Sequence, residues 1–278
     1  MINNLLQVKK IKDKDLYKLI EHFPSSLNLD IGGFVGNQAI DLCRDKHRVK
    51  TFEPFENNIK FLKENIKTHN KIELIQSAVC NYTGTGYLNG CKEIVMNENG
   101  SSWSDKYLGG SAVGYLSNDG LSVNCVKLSD IIKEHVLMMK VDIQGGEYNC
   151  LLGAEDLIDN YGIDIMLLEF SGDVRIIDFL IKKDYILFDT EYLQWNAKHN
   201  PSFYNNKLVE AEYQKLSNGL NGRRVFYEDR PKDLNSYLRF LFYFENGYKD
   251  FDGQQTDLYC VHKSIYDKIE KLINDIDN

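Results

Sequence analysis

The stretch NLDIGGFVGNQAIDLC, Asn28 to Cys43, joins an apolar run, an acid, three closely spaced glycines and an amphipathic segment. Leu27–Ile31 reads as a buried strand, and Asn37–Asp45 as a helix with Ala39, Ile40 and Cys43 on one side. Glycines between them let the backbone approach a ligand and adopt conformations that a Cβ disfavours. The start of the following helix offers unpaired N–H groups. Dinucleotide enzymes, phosphate cradles and methyl-donor enzymes all use such a joint, and the spacing narrows the choice. A G-x-G-x-x-G fingerprint counted from Gly32 needs glycine at positions 34 and 37, where Phe34 and Asn37 stand. The pattern present is D-x-G-G-x-x-G, with the Asp30 carboxylate ahead of the turn. Such an acid accepts a hydrogen bond from an ammonium or another donor, which a pyrophosphate does not supply, so the turn suits a cationic ligand such as S-adenosylmethionine.

Outward from this turn the same rhythm repeats. Val49–Phe52 is a second strand, ending at Glu53 in KTFEPFENN, 21 residues after Gly32. A carboxylate at that distance can accept both hydroxyls of a ribose, and Pro54 forces the chain to turn behind it. Glu56–His69 reads as a helix with Ile59, Leu62 and Ile66 at helical spacing, and Ile72–Ala78 as a third strand. Leu137–Asp142 is a fourth strand, followed by a Gly-Gly turn and the helix Glu147–Leu152. Ile163–Phe170 is a fifth, then come the helix Val174–Lys182 and the strand Tyr185–Thr190. Near the end, the apolar run Asp257–His262 precedes a closing helix, Ser264–Ile276. Apolar strands alternating with helices predict a mostly parallel sheet covered on both faces.

Two regions break the rhythm. Residues 81–126 carry four turn dipeptides and no helical pattern, which predicts an inserted hairpin or lid. Residues 191–255 are polar and aromatic-rich, and Tyr237–Tyr248 is compatible with a strand or a buried helix. The expected organisation is one domain over 1–278. It comprises an N-terminal helical extension (1–26), a core (27–190) with the insertion 81–126, and a variable C-terminal part (191–278) that completes the sheet.

Four prolines and no Gly/Ser tract leave no obvious linker. A net charge of −8 argues against a broad nucleic-acid surface, leaving only local basic patches such as Arg223–Arg224. The N-terminus lacks the apolar core of a signal peptide, and no window approaches the roughly 18 apolar residues that span a bilayer. The expected location is therefore cytoplasmic, with no membrane partner. The six cysteines are scattered without C-x-x-C spacing, which fits reduced, apolar side chains and gives no metal site.

NLDIGGFVG, FEP, SAVCNYTG, Leu128-Ser129-Asp130, KVDIQGGEYNCLLGAEDLI and LLEF resemble, in order and spacing, the FkbM-type methyltransferases. The most specific part is the K-x-D-x-x-G-x-E-x-x-x-L-x-G-A block, Lys140 to Ala154. The resemblance covers roughly residues 27–170. It implies an α/β fold: a doubly wound, Rossmann-like class I methyltransferase sheet, mostly parallel with an antiparallel last strand, plus the inserted region. It also implies S-adenosyl-L-methionine as cofactor, held by Asp30, Gly32, Gly33, Gly36, Glu53, Ser77 and Ala78. Ser77 and Ala78 enter because the exit of the third strand is where class I enzymes commonly contact adenine. The implied acceptor is a hydroxyl of a glycan, sugar or small metabolite.

Methyl transfer from a sulfonium is an in-line displacement, so the protein's work is to position the nucleophile, exclude water and take a proton. Asp142 and Glu169, at the ends of adjacent strands, are the candidate carboxylates for a base or, alternatively, a shared divalent cation. Lys140 is a third candidate catalytic residue. Ser101, Ser102 and Trp103 in NENGSSWSD, and Glu147, are candidate substrate contacts; a surface turn around a buried tryptophan explains the first three equally well. The sequence departs from the family pattern in three places. Gly33 and Phe34 replace the Ala and Asn of D-I-G-A-N-x-G, and Gln144 replaces a glutamate. These departures motivate a second reading, a catalytically impaired descendant that binds a glycan or a partner protein. A nicotinamide oxidoreductase is disfavoured by the glycine spacing, and an RNA methyltransferase by the acidic charge.

Overall fold

The computed structural model describes residues 17–89, 115–117, 120–143, 145–170, 174–189 and 256–276. Ser101, Ser102, Trp103, Gln144, Cys91, Arg223–Arg224 and the Tyr237–Tyr248 tract lie outside them, as does most of the expected N-terminal extension. The chain divides into two compact units, Phe23–Glu169 and the remainder.

The first unit opens with β1 (Leu27–Ile31), buried along its whole length. It continues through α1 (Asn37–Cys43), β2 (Arg48–Phe52), α2 (Glu56–Ile66) and β3 (Ile72–Ile75). The strand alternates apolar residues with Asn28 and Asp30, and all five are buried because both faces of a parallel sheet are covered. In α2, Ile59, Leu62 and Ile66 are buried on one side. After β4 (Ala78–Val79), β5 (Gly84–Asn89), β6 (Tyr115–Ser117), β7 (Leu121–Val126) and α3 (Leu128–Ile131), the rhythm resumes. It runs through β8 (Val136–Val141), α4 (Glu147–Gly153), α5 (Glu155–Asn160) and β9 (Ile163–Phe170).

The main sheet of this unit runs β9-β8-β1-β2-β3, and every pairing in it is parallel. The chain builds outward from β1 to β3 and then crosses to the other side of β1 to add β8 and β9. Strand order therefore reverses between β1 and β8, the place where open α/β sheets bind ligands beyond their carboxyl ends. The β1–β8 register slips between Leu27 and Asn28. The buried Asn28 amide mends the slip: its Oδ1 accepts from Met138 N–H at 3.0 Å and its Nδ2 donates to Leu42 O at 2.8 Å.

The inserted region contributes β5, β6 and β7 to a second sheet, ordered β4-β7-β5-β6, with β5 antiparallel to both neighbours. The single third strand expected over Ile72–Ala78 is thus two strands in two sheets. At the break Ser77 N–H donates to Ile75 O, which turns the chain, and Ala78–Val79 pair instead with Cys125–Val126. Ala78, Cys80, Leu88, Val123 and Cys125 form the apolar cluster of this small sheet.

The second unit holds α6 (Val174–Lys182), β10 (Tyr185–Asp189), β11 (Thr256–His262) and α7 (Tyr266–Ile276), with a 3-10 turn at Lys263–Ile265 before α7. β10 and β11 are antiparallel, so the last strand runs as expected. Among the described residues no helix is long and apolar enough to cross a membrane. The described cysteines (Cys43, Cys80, Cys125, Cys150 and Cys260) are free and buried.

Candidate functional site

Three charged side chains meet at the β1–β8 switch point. Asp30 and Lys140 are partners in the parallel register, and Asp142 follows the end of β8. Lys140 Nζ donates to Gly32 O at 3.0 Å and lies 3.6 Å from Asp30 Oδ1 and 3.5 Å from Asp142 Oδ2. Asp30 has no exposed surface and the Lys140 side chain is 3% exposed, whereas that of Asp142 is 36% exposed. A ligand in the crevice therefore meets the row through Asp142.

The second strand supplies a residue that the sequence reading passed over. Thr51 is paired with Asp30 across β1–β2, and its hydroxyl donates to Asp30 Oδ2 at 2.9 Å. Asp30 Oδ1 has no hydrogen-bond partner among the described residues and relies on the Lys140 charge. Burial pushes the Asp30 carboxyl above its ordinary range, and the Lys140 ammonium and the Thr51 hydroxyl hold it back.

The glycine turn closes on this row. Gly32 and Gly33 both donate their N–H groups to Phe52 O, at 3.0 and 2.9 Å. Gly32 has φ +86°, and a Cβ there would stand 2.0 Å from Asp142 O, so the turn after β1 lies directly against the backbone after β8. A Cβ on Gly33 would stand 2.1 Å from Thr51 Oγ1, so the hydroxyl occupies the room that an alanine would take. Gly36, at φ +92°, leads into α1.

Glu53 lies at the end of β2, as expected, with its carboxylate firmly held. Its Oε2 accepts from Phe34 N–H at 2.8 Å, and its Oε1 from Phe55 N–H at 2.9 Å and Asn58 Nδ2 at 3.0 Å. Burial raises its pKa, and the three donors oppose that rise. A carboxylate has about four acceptor positions, so this one keeps a lone pair for a ligand while its geometry stays fixed. Asn58 was legible as the second Asn of FENN, five residues past Glu53, but only the helix brings it back.

The remaining expected residues are placed as follows. Ser77 is buried at the exit of β3 and its hydroxyl donates to Gln76 O at 2.7 Å; Ala78 starts β4. Glu169 is half-buried, one step beyond the paired Val141 and Leu168, and so next to Asp142 at the sheet edge. Glu147 is 2% exposed and turned to its own loop. Its Oε1 accepts from Ile143 N–H at 3.1 Å, and its Oε2 from Gly145 N–H at 2.9 Å. Among the described residues no group of three His, Cys, Asp or Glu side chains is arranged to hold a metal ion.

The methyltransferase FkbM domain model matches residues 30–187, more than half of the chain. The fold is similar to methyltransferase FkbM from Methylobacillus flagellatus KT, at 16% identity and a TM-score of 0.42, covering 66% of this chain and 53% of that one. SMU.1697c from Streptococcus mutans, in complex with SAH, is similar at 8% identity and TM-score 0.39, over 65% of this chain and 88% of that one. Residues 942–1257 of StiE O-MT are similar at 10% identity and TM-score 0.39, over 95% and 78%. This chain spans about half the length of the Methylobacillus protein. No curated protein matches it.

Proposed function

The chain belongs to the FkbM methyltransferase family, and from that premise we propose that it uses S-adenosylmethionine to methylate a hydroxyl of a sugar or another small hydroxylated metabolite. The observation that carries the reading is the row Asp30–Lys140–Asp142 at the β1–β8 reversal, buried at Asp30 and Lys140 and open at Asp142, with Glu53 fixed one strand away. The residues fit the donor. Glu53 is held as a ready acceptor for ribose hydroxyls, and Gly32 leaves no side chain between the crevice and the β8 backbone. When bound, this cofactor supplies an electrophilic methyl group on a positively charged sulfur.

The chain's own groups divide the rest of the work. Asp142, the accessible member of the row, takes the proton of the acceptor hydroxyl. Lys140 positions Asp142 from behind and is itself anchored by Gly32 O. Asp30 and Thr51 act through Lys140 rather than by touching a ligand, because Asp30 has no accessible surface. Glu169 borders the acceptor side of Asp142. Glu147 keeps the turn after β8 in shape.

Calorimetry with S-adenosylmethionine and its demethylated product tests the cofactor; no heat with either at millimolar ligand would refute it. Asp142→Asn should lower turnover on a responsive sugar by about 10²–10⁴-fold and leave donor affinity nearly unchanged. An equal loss of both would make Asp142 a structural residue.

A further inference from the structure

The helix α2 carries Asn58 and Asn65 seven residues apart, so they lie nearly in line, about 10 Å from each other along its axis. Asn58 is buried and donates to Glu53 Oε1. Asn65 is exposed, yet its Nδ2 donates to Val35 O at 2.8 Å, inside the glycine turn. Leu62 and Ile66, on the same side of the helix, press on that turn. A Cβ on Gly36 would stand 3.0 Å from Ile66 Cγ2 and 3.3 Å from Leu62 Cγ, and one on Gly33 would stand 3.0 Å from Leu62 Cδ1. Asparagine forms helix poorly because its amide competes for nearby backbone groups, and an exposed helical site is better served by lysine or glutamate. The residue at position 65 suits the bond it makes to the turn, not the helix it sits in. Other carbonyls of the turn are tied elsewhere: Gly32 O to Lys140, Gly33 O to the Gly36 N–H and Gly36 O to the Ile40 N–H. Asn65 takes Val35 O, and so fixes the rigid peptide plane that leads into Gly36 at φ +92°.

We propose that Asn65 is a positioning residue for donor binding, one that touches no ligand and acts by holding the glycine turn in shape through Val35. The proposal rests on the cofactor reading of the preceding section. On that reading one helix sets two parts of the donor site from behind, the ribose carboxylate through Asn58 and the turn through Asn65. A turn ordered in advance spares the ligand the cost of ordering it on binding.

The test uses the full chain and two variants. Asn65→Ala removes the donor and improves helix propensity; Asn65→Gln keeps an amide N–H on a longer, helix-compatible side chain. Calorimetry with S-adenosylmethionine and with its demethylated product, at a temperature where every variant is folded, is read beside the melting temperature without ligand. The expected result for Asn65→Ala is about three- to tenfold weaker binding of both compounds, the scale of one net hydrogen bond. Its melting temperature should stay within a few degrees of the native chain, since the gain in helix propensity offsets the lost bond. Asn65→Gln should recover most of the affinity. Unchanged affinity in Asn65→Ala would overturn the proposal, whatever its melting temperature, because the bond would then serve the fold alone. So would an equal loss in Asn65→Gln, and so would a loss confined to the sulfonium compound. A native chain that binds neither compound would overturn the cofactor reading together with this one.

Discussion

Two glycine turns stand side by side at the carboxyl ends of β1 and β8, and they are held in opposite ways. The first, Gly32 to Gly36, is fastened from outside: Phe52 O takes two of its N–H groups and Glu53, from the next strand, takes a third. The second, after Asp142, is fastened from within, by Glu147 of its own following helix. Their glycines differ accordingly. Gly32 needs both a left-handed φ and room, since a Cβ would stand 2.0 Å from Asp142 O. Gly145 needs only the conformation, φ +97°, because nothing lies within 4 Å of its missing Cβ. Glycine for room welds two strands together, whereas glycine for conformation serves one loop.

The sharpest way to break this contrast is to substitute alanine at both. Gly32→Ala combines backbone strain with a clash against backbone, and should cost about 3 kcal/mol or more. Gly145→Ala carries strain alone, on the order of 1–2 kcal/mol. Urea unfolding, read as the shift in midpoint at constant slope, measures both. Equal losses would show that the close approach of Gly32 to β8 is not real.

An intermediate effect sharpens the account of the first turn. At Gly33 the obstacle to a Cβ is a side chain, Thr51 Oγ1 at 2.1 Å, with Leu62 Cδ1 at 3.0 Å. Gly33→Ala should cost about 2 kcal/mol, because Thr51 must leave Asp30 or the backbone must move. Thr51→Ala should cost about 1–3 kcal/mol by leaving a buried carboxylate oxygen without its donor. The double variant should cost less than the sum by roughly 1 kcal/mol or more, since the second change removes the clash created by the first. Strict additivity of the unfolding free energies would show that the two positions do not share the space.

What the sequence disclosed about these regions follows the range of the interactions involved. β1, β9 and α6 match their expected bounds residue for residue, because apolar runs and helical spacing are local patterns. Glu53 was readable from its distance to the glycines. Thr51 was not, because its partner Asp30 is set by strand register across 21 residues of chain. The split of the third strand was hidden for the same reason: Ala78–Val79 continue the apolar run of Ile72–Ile75, yet Ala78 finds its partner at Cys125, far along the chain. The Asn28 amide that mends the β1–β8 slip likewise reveals itself only once β8 is alongside. In Glu147 the sequence showed an acid near a candidate site, and only the fold shows its oxygens turned to Ile143 and Gly145 N–H groups.

Glu147 also gives the smallest expected effect, and one whose sign is decisive. Two influences compete at its carboxyl: burial, the larger, raises the pKa, with a smaller push from Asp142, while the backbone N–H groups of residues 147, 145 and 143 lower it. A carboxyl whose pKa is higher folded than unfolded binds its proton more tightly in the folded state. Its contribution then opposes folding above the folded value, is relieved as pH falls, and stops changing below the ordinary value of 4.5. Glu147→Gln removes this titration while keeping one acceptor oxygen. The stability of the native chain minus that of Glu147→Gln should therefore rise as pH is lowered from 8 toward about 4.5, as followed by urea unfolding at each pH. A difference that falls on acidification would mean that the N–H groups outweigh burial. The second turn would then be held by a carboxylate whose donors outweigh its burial, whereas at Glu53, the clamp of the first turn, burial is the larger influence.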